Sequence, residues 1–262
     1  MRKDYIESKD LDAGETEFVE SYWTRVWEKE GGPSAQVARI PRKDEYRVMA
    51  PYMDVLPRGA RVLDGGCGLG DWTLYFTNQG FSVVGLDLSR KTVEQLQARF
   101  PEATFVDGDI RRMDFPDASF DAYFSWGVFE HFEAGTQDCV REAFRVLKPG
   151  GLLFISVPFD NLRHALSGSF ARPHPITGRQ RFYQWRLTRA EVARELAIGG
   201  FDVLDLRPIH KRQGVLRSLH HDLGMPYGWL LTKGLSVVLA PLLPGSLIAH
   251  MVLAVARKPD GG

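Results

Sequence analysis

Residues 60–71 read Ala-Arg-Val-Leu-Asp-Gly-Gly-Cys-Gly-Leu-Gly-Asp. Arg61 to Leu63 make a short apolar strand, Asp64 closes it, and Gly65, Gly66, Gly68 and Gly70 lead into a helical-looking run from Trp72 to Asn78. Glycine takes positive φ without steric cost and lets backbone come within contact distance of a ligand. A strand, a Gly-rich turn and a helix start, in that order, form a nucleotide-type site.

Outward from this stretch the chain alternates. Apolar runs predict strands at 61–64, 81–86, 103–106, 120–125 and 152–157, with helices at 71–79, 90–99 and 135–146 between them. That spacing argues a parallel sheet with right-handed crossovers, and interior strands such as Leu152-Leu-Phe-Ile-Ser-Val are apolar on both faces, as a covered sheet requires. Further on, Thr188 with Glu191 announces a helix over 188–198 that Gly199-Gly200 stops, and Phe201–Leu206 reads as a strand. On the N-terminal side, Phe18, Tyr22, Trp23, Val26 and Trp27 recur at helical spacing over 15–29, and a second helix is expected at 42–56, kinked at Pro51. The 22 uncharged residues Leu235–Ala256 have the length of a membrane span. Pro241, Pro244 and Gly245 interrupt them, so a short apolar helix followed by a buried strand is the expectation.

With 33 Lys and Arg against 33 Asp and Glu, the chain carries no general electrostatic case for nucleic acid. The charges are segregated: residues 1–30 are rich in acid, whereas 161–189 hold Arg163, Arg172, Arg179, Arg181, Arg186 and Arg189 and no acid. Two cysteines, Cys67 and Cys139, suggest no disulfide framework, and the acidic N-terminus lacks a signal-peptide layout, so a reducing, cytoplasmic setting is expected. No set of Cys, His, Asp and Glu has metal-site spacing.

The glycine loop excludes two nucleotide motifs. It has no Gly-Lys-Ser/Thr ending, and the dinucleotide pattern counted from Gly66 needs Gly at 71, where Asp71 stands. Asp64 at the strand tip is ill placed beside a pyrophosphate and well suited to a ligand bearing an amino group and a sulfonium. Asp87, 21 residues after Gly66, can accept from a ribose diol, and Asp109 beside Ile110 can accept from an adenine amine.

Taken with Phe120-Asp121, Ser125-Trp126, Glu130-His131 and Leu147-Lys-Pro-Gly-Gly151, these residues resemble the class I S-adenosylmethionine-dependent methyltransferases, in particular the small-molecule group of type 11 methyltransferase domains. The resemblance runs over about residues 60–158, with support at 199–206. It implies an α/β, doubly wound Rossmann-like sheet of seven strands, mostly parallel with an antiparallel last strand and helices on both faces. It also implies S-adenosylmethionine as cofactor. Asp64, Gly65, Gly66, Gly68 and Gly70 would lie along the methionine part, Asp87 and Leu88 at the ribose, Asp109 and Ile110 at the adenine, and Ser125 and Trp126 near the reactive end. Gly65 departs from the pattern, in which a larger residue usually precedes Gly66.

His131, one turn beyond Trp126, is the candidate catalytic base. Asp121 is expected to cap backbone amides and Cys67 to be a packed residue. Residues 1–57 are expected to form a helical cap, and 58–262 the methyltransferase domain with substrate-side insertions at 159–187 and 210–246. The arginines suit an anionic group, and the apolar stretch 227–243 suits an apolar pocket, a homodimer contact or a peripheral membrane contact. A small amphiphilic acceptor methylated on oxygen is the resulting expectation. Two other readings stay open: a catalytically silent methyltransferase-fold subunit, and a nicotinamide-dependent oxidoreductase, which Asp64 and Asp71 disfavour.

Overall fold

A computed structural model describes residues 1–8, 12–32, 36–164 and 180–260. Seven strands form one sheet: β2 (Arg61–Gly65), β3 (Ser82–Asp87), β4 (Thr104–Asp107), β5 (Phe120–Trp126), β6 (Leu147–Pro158), β8 (Asp202–Ile209) and β9 (Met251–Arg257). Their order is β4-β3-β2-β5-β6-β9-β8, and only β9 runs antiparallel to its neighbours. The expected mostly parallel seven-stranded sheet with an antiparallel last strand is therefore the fold of this chain.

Neighbouring residues on the central strands point to opposite faces, and both faces are covered. Leu63, Tyr123 and Leu153 enter one core with Phe129 and Leu196, while Val62, Phe124 and Phe154 enter the other with Trp72 and Phe76. That two-sided burial is why these strands carry no polar alternation. From β2 the chain works outward through β3 and β4, then returns to place β5 on the other side of β2. The carboxyl ends of β2 and β5 thus splay into a crevice, the usual ligand position in open α/β sheets. Helices α3 (Asp71–Asn78), α4 (Arg90–Arg99) and α5 (Gln137–Val146) make the crossovers. The next helix, α6 (Arg189–Ile198), has the expected capping box of Thr188 and Glu191, an arrangement worth about 1 kcal/mol.

The N-terminal segment holds α1 (Glu15–Lys29) and α2 (Asp44–Met53), and it is not purely helical. Residues Arg2–Glu7 form β1, which pairs antiparallel with β7 (Gln180–Arg186) in a separate two-stranded ribbon. Asp4 holds the ribbon together, accepting from Arg186 Nε at 2.7 Å and Gln184 Nε2 at 2.8 Å. Pro51 lies in the last turn of α2, which ends at Met53, short of the 42–56 that the sequence suggests; the Asp54 N–Ala50 O bond at 2.9 Å still forms past Pro51, and Pro57 disfavours helix at the residue before it.

After β8, helices α7 (Lys211–His221) and α8 (Leu230–Leu242) interrupt the sheet. The second of these packs Leu235 and Leu239 against α7 yet keeps a large apolar face in the open. It buries Thr232, Ser236 and Ala240, while Leu230, Leu231, Val237, Val238 and Leu242 are exposed, Leu230 at 86%. Among the described residues no helix is long and apolar enough to cross a membrane, and β9 supplies the buried strand expected of the second half of 235–256.

Candidate active site

The glycine loop is stitched to β3. Gly66 N and Cys67 N both donate to Leu86 O, at 2.7 and 3.0 Å, and Gly70 N closes a turn onto Cys67 O at 2.9 Å. Gly66 and Gly68 have φ of +77° and +53°, a region a side chain enters only with strain. A Cβ at Gly66 would meet Val128 Cγ2 at 2.4 Å and one at Gly68 would meet the Trp27 ring at 2.9 Å. The loop therefore has the protein's own groups on both flanks. Asp87 fixes it from below, its Oδ2 accepting from Gly68 N at 2.8 Å and its Oδ1 from Ser89 N at 2.9 Å. Burial pushes the Asp87 carboxyl upward, against the pull of these amides.

Above the loop lies a cleft of about 620 Å³. The ends of β2, β3 and β4 supply one wall through Gly66, Asp87, Leu88, Asp109 and Ile110. The chain after β5 supplies the other through Trp126, Gly127, Val128, His131 and Phe132, and α1 roofs it with Val19, Trp23 and Trp27. The two roof indoles stack with centroids 5.1 Å apart, and Trp23 meets His131 edge-on at 5.1 Å. Both Trp27 Nε1 and Trp126 Nε1 are buried donors without a hydrogen-bond partner. Buried N–H groups are seldom left unpaired, and both of these belong to residues that line the cleft.

The roof is clamped by Arg111. Its guanidinium takes both oxygens of Asp109, reaches Glu15 Oε2 at 2.6 Å and Thr16 Oγ1 at 2.8 Å on α1, and lies 4.1 Å over the Phe132 ring. Asp109 thus shares its acceptor capacity with Arg111, a residue that no sequence motif marks. The signal was weak: one Arg in the pair Arg111-Arg112, with partners 95 and 96 residues away.

His131 lies in a 3₁₀ turn, Phe129–His131, and is buried. Its Nδ1 is 2.8 Å from Tyr183 O, which can only accept, so this nitrogen carries the proton of the neutral ring. Burial holds its pKa down at about 4, although the Tyr183 and Gly127 carbonyls favour the charged form. Glu130 beside it is pushed up to about 8 by burial, and its Oε2 has no partner. At neutral pH both side chains are therefore uncharged.

Of the residues expected to bind cofactor, Gly66, Asp87, Leu88, Asp109, Ile110 and Trp126 line the cleft together with His131. Asp64, Gly65, Gly68, Gly70 and Ser125 stand behind it. Asp64 accepts from Thr73 Oγ1 at 2.7 Å and is pushed up to about 7 by burial, so it is not the open carboxylate that its place at the strand tip suggested. Ser125 Oγ donates to Gly65 O at 2.6 Å, and Tyr123 fills the space a Cβ at Gly65 would need. Asp121 has the expected structural part, accepting from Arg61 N and Lys148 Nζ at 2.8 and 2.7 Å. Cys67 is buried with its thiol pushed well up, which leaves no thiolate for chemistry. No group of three or more His, Cys, Asp or Glu among the described residues could hold a metal. Arg172 and Arg179 lie outside the described residues.

Comparison with known proteins agrees with this geometry. Residues 63–155 match the family model described as a methyltransferase domain. The chain is 33% identical over 147 residues to a probable S-adenosylmethionine-dependent methyltransferase of Mycolicibacterium smegmatis, covering 56% of this chain and 54% of that protein. It is 34% identical over 121 residues to a malonyl-[acyl-carrier protein] O-methyltransferase of Enterobacter lignolyticus, covering 45% and 48%. The chain thus spans about half the length of these curated relatives. The 1,6-didemethyltoxoflavin-N1-methyltransferase of Burkholderia thailandensis, solved with S-adenosylhomocysteine, shares the fold with a TM-score of 0.61 at 20% identity, over 99% of this chain and 96% of that one.

Proposed function

We propose that this chain, whose residues 63–155 form an S-adenosylmethionine-dependent methyltransferase domain, methylates a small acceptor that carries an anionic group and an apolar body, with oxygen as the acceptor atom. The observation that carries the reading is the cleft at the β2–β5 crevice. There one wall carries Asp87 and Asp109, and the facing wall and roof carry Trp126 and Trp27, whose buried indole N–H groups have no partner. Those residues fit the cofactor: Asp87 and Leu88 for the ribose, Ile110 for the adenine, and the Gly66 turn with Trp27 and Trp126 for the amino-acid end.

S-adenosylmethionine supplies an electrophilic methyl group for in-line transfer to the acceptor. What the protein must add is alignment and dryness, and positioning of this kind contributes on the order of 7–11 kcal/mol. Trp23 and Trp27 exclude water from above, while Arg111 holds α1 down over the cleft. Neutral His131 can take a hydrogen bond or a proton from an acceptor hydroxyl. With a pKa near 4 it is a weak base at neutral pH, which leaves alignment as the larger contribution.

The exposed apolar face of α8 supports an amphiphilic acceptor met at an anionic lipid surface. From Leu206 to His250 there are five Lys or Arg and one acid. Trp229 and the exposed Leu and Val residues provide the apolar face that would lie in the headgroup layer.

Unfolding with S-adenosylhomocysteine tests the cofactor assignment. A ligand at 100 times its dissociation constant stabilises by about 2.7 kcal/mol. A raised melting temperature is expected, and no shift at saturating ligand would remove the methyl-transfer reading.

A further inference from the structure

A second cavity, of about 630 Å³, opens among the chain after β6, the end of β7 and α7. Its wall is cationic: Arg163 follows β6, Arg186 ends β7, Arg217 comes from α7, and His164, His221 and His250 stand among them. Among the described residues no carboxylate lines it. Asp222 bridges Arg163 at 2.8 Å and Asp4 bridges Arg186 at 2.7 Å, both from behind the wall, and the Asp160 carboxylate lies 3.7 Å from Arg2 and 3.9 Å from His164. Among the described residues Arg217 has no carboxylate partner, and its Nη1 meets His250 Nε2 at 2.9 Å. Arg163 Nε is a buried donor with no partner.

The imidazoles report the field inside. His164 and His250 are both pushed down to about 3, by burial first and then by the neighbouring arginines. They stay neutral, so the wall keeps hydrogen-bonding capacity without adding charge. The wall is also stiff, because a Cβ on Gly214 of α7 would fall 1.6 Å from Ile248 O, which fixes α7 against the approach to β9. Three guanidinium groups converging from three elements suit a tetrahedral oxyanion better than a planar carboxylate, which one fork satisfies.

We propose that this cavity receives the phosphate group of the acceptor. The link to the acceptor rests on the methyl-transfer reading. Tyr183 couples cleft and cavity: its carbonyl holds His131 of the cleft, and its ring lies within electrostatic reach of Glu130 and of Arg217 of the cavity.

The test is thermal unfolding of the full chain in inorganic phosphate or glycerol phosphate, against chloride at matched ionic strength, for the wild type, Arg217→Gln and Arg217→Lys. Phosphate is expected to stabilise the wild type, with affinity falling about tenfold or more in Arg217→Gln and less in Arg217→Lys. S-adenosylhomocysteine binding, unchanged in both variants, shows that they fold. Stabilisation by phosphate no greater than by chloride, with S-adenosylhomocysteine still bound, overturns the proposal. Loss of S-adenosylhomocysteine binding in the wild type overturns the methyl-transfer reading instead. Flotation with phosphatidic acid vesicles separates the sources. Capture that depends on Arg217 identifies a lipid headgroup, and Arg217-independent capture beside Arg217-dependent glycerol phosphate binding identifies a soluble phosphate ester.

Discussion

Replacing Glu130 by Gln tests the electrostatics of the acceptor end directly. The carboxyl is 2% exposed, its Oε2 has no partner, and burial moves its pKa from the ordinary 4.5 to about 8. Between those two values the folded chain holds a proton that the unfolded chain has released. Stability from this group is therefore greatest below pH 4.5, declines as pH rises, and levels off above about 8. At about 1.4 kcal/mol per pH unit, the full interval is worth at most about 5 kcal/mol. Water entering the site would reduce that, yet half of it still moves the melting temperature by roughly 5 °C or more in a chain of this size. Asp64, at about 7, titrates in the same direction, and His131, at about 4, in the opposite one between pH 4 and 6.5. Both are present in wild type and variant alike. The difference between their melting curves from pH 5.5 to 8.5 thus isolates Glu130. The variant is expected to lose much of the decline toward alkaline pH, and its advantage is expected to grow with pH. Parallel curves would refute the assignment of a buried, protonated Glu130.

Two further changes probe the other parts of the site. Gly68→Ala adds a methyl group 2.9 Å from the Trp27 ring at φ +53°, so S-adenosylhomocysteine affinity, read by calorimetry, is expected to fall about tenfold or more while circular dichroism stays native; unchanged affinity would separate the glycine loop from the cofactor. On α8, the pair Leu231→Glu and Val238→Glu places charges on exposed positions only. Capture by anionic vesicles is expected to vanish with the melting temperature in solution within about 2 °C of wild type, and retained capture would remove the lipid-surface reading.

The central fold was legible because its signals are local. Each strand from β2 to β6 is a short apolar run bounded by turn residues, and the glycine loop occupies consecutive positions. The β1–β7 ribbon was not. Arg-Lys-Asp-Tyr-Ile-Glu has no apolar alternation, and its partner lies some 180 residues away, across a register shift between Asp4 and Tyr5. The site divided in the same way. Gly66, Asp87, Leu88, Asp109, Ile110, Trp126 and His131 reach the cleft from strand ends that the pattern located. Arg111 and Arg217 take their meaning from partners no spacing rule connects. For α8 the sequence announces an apolar helix but cannot say which face is covered. That was decided by α7, whose Val215 and Leu219 pack with Ala240, Leu235 and Leu239 and leave Leu230, Leu231, Val237, Val238 and Leu242 outside.

The charge segregation seen in the sequence turns out to be a wiring plan. Acids of the first 30 residues find bases far along the chain: Asp4 holds Arg186, Glu15 holds Arg111, and Glu28 holds Lys91. The last two tie α1, the roof of the cleft, to the chain after β4 and to the start of α4, while Asp4–Arg186 ties β1 to β7. This accounting also identifies what is left over. Once Asp4 and Asp222 have taken Arg186 and Arg163, Arg217 faces its cavity with no carboxylate of its own among the described residues, beside imidazoles too strongly depressed to share a proton. A buried positive field without an internal counter-charge costs stability unless a ligand supplies one. On the proposed reading the protein bears that cost at a cavity that Tyr183 couples to His131 of the cleft. A methyltransferase that had to recognise an anionic acceptor would gain from keeping that charge unneutralised, because an internal carboxylate there would compete with the substrate for Arg217.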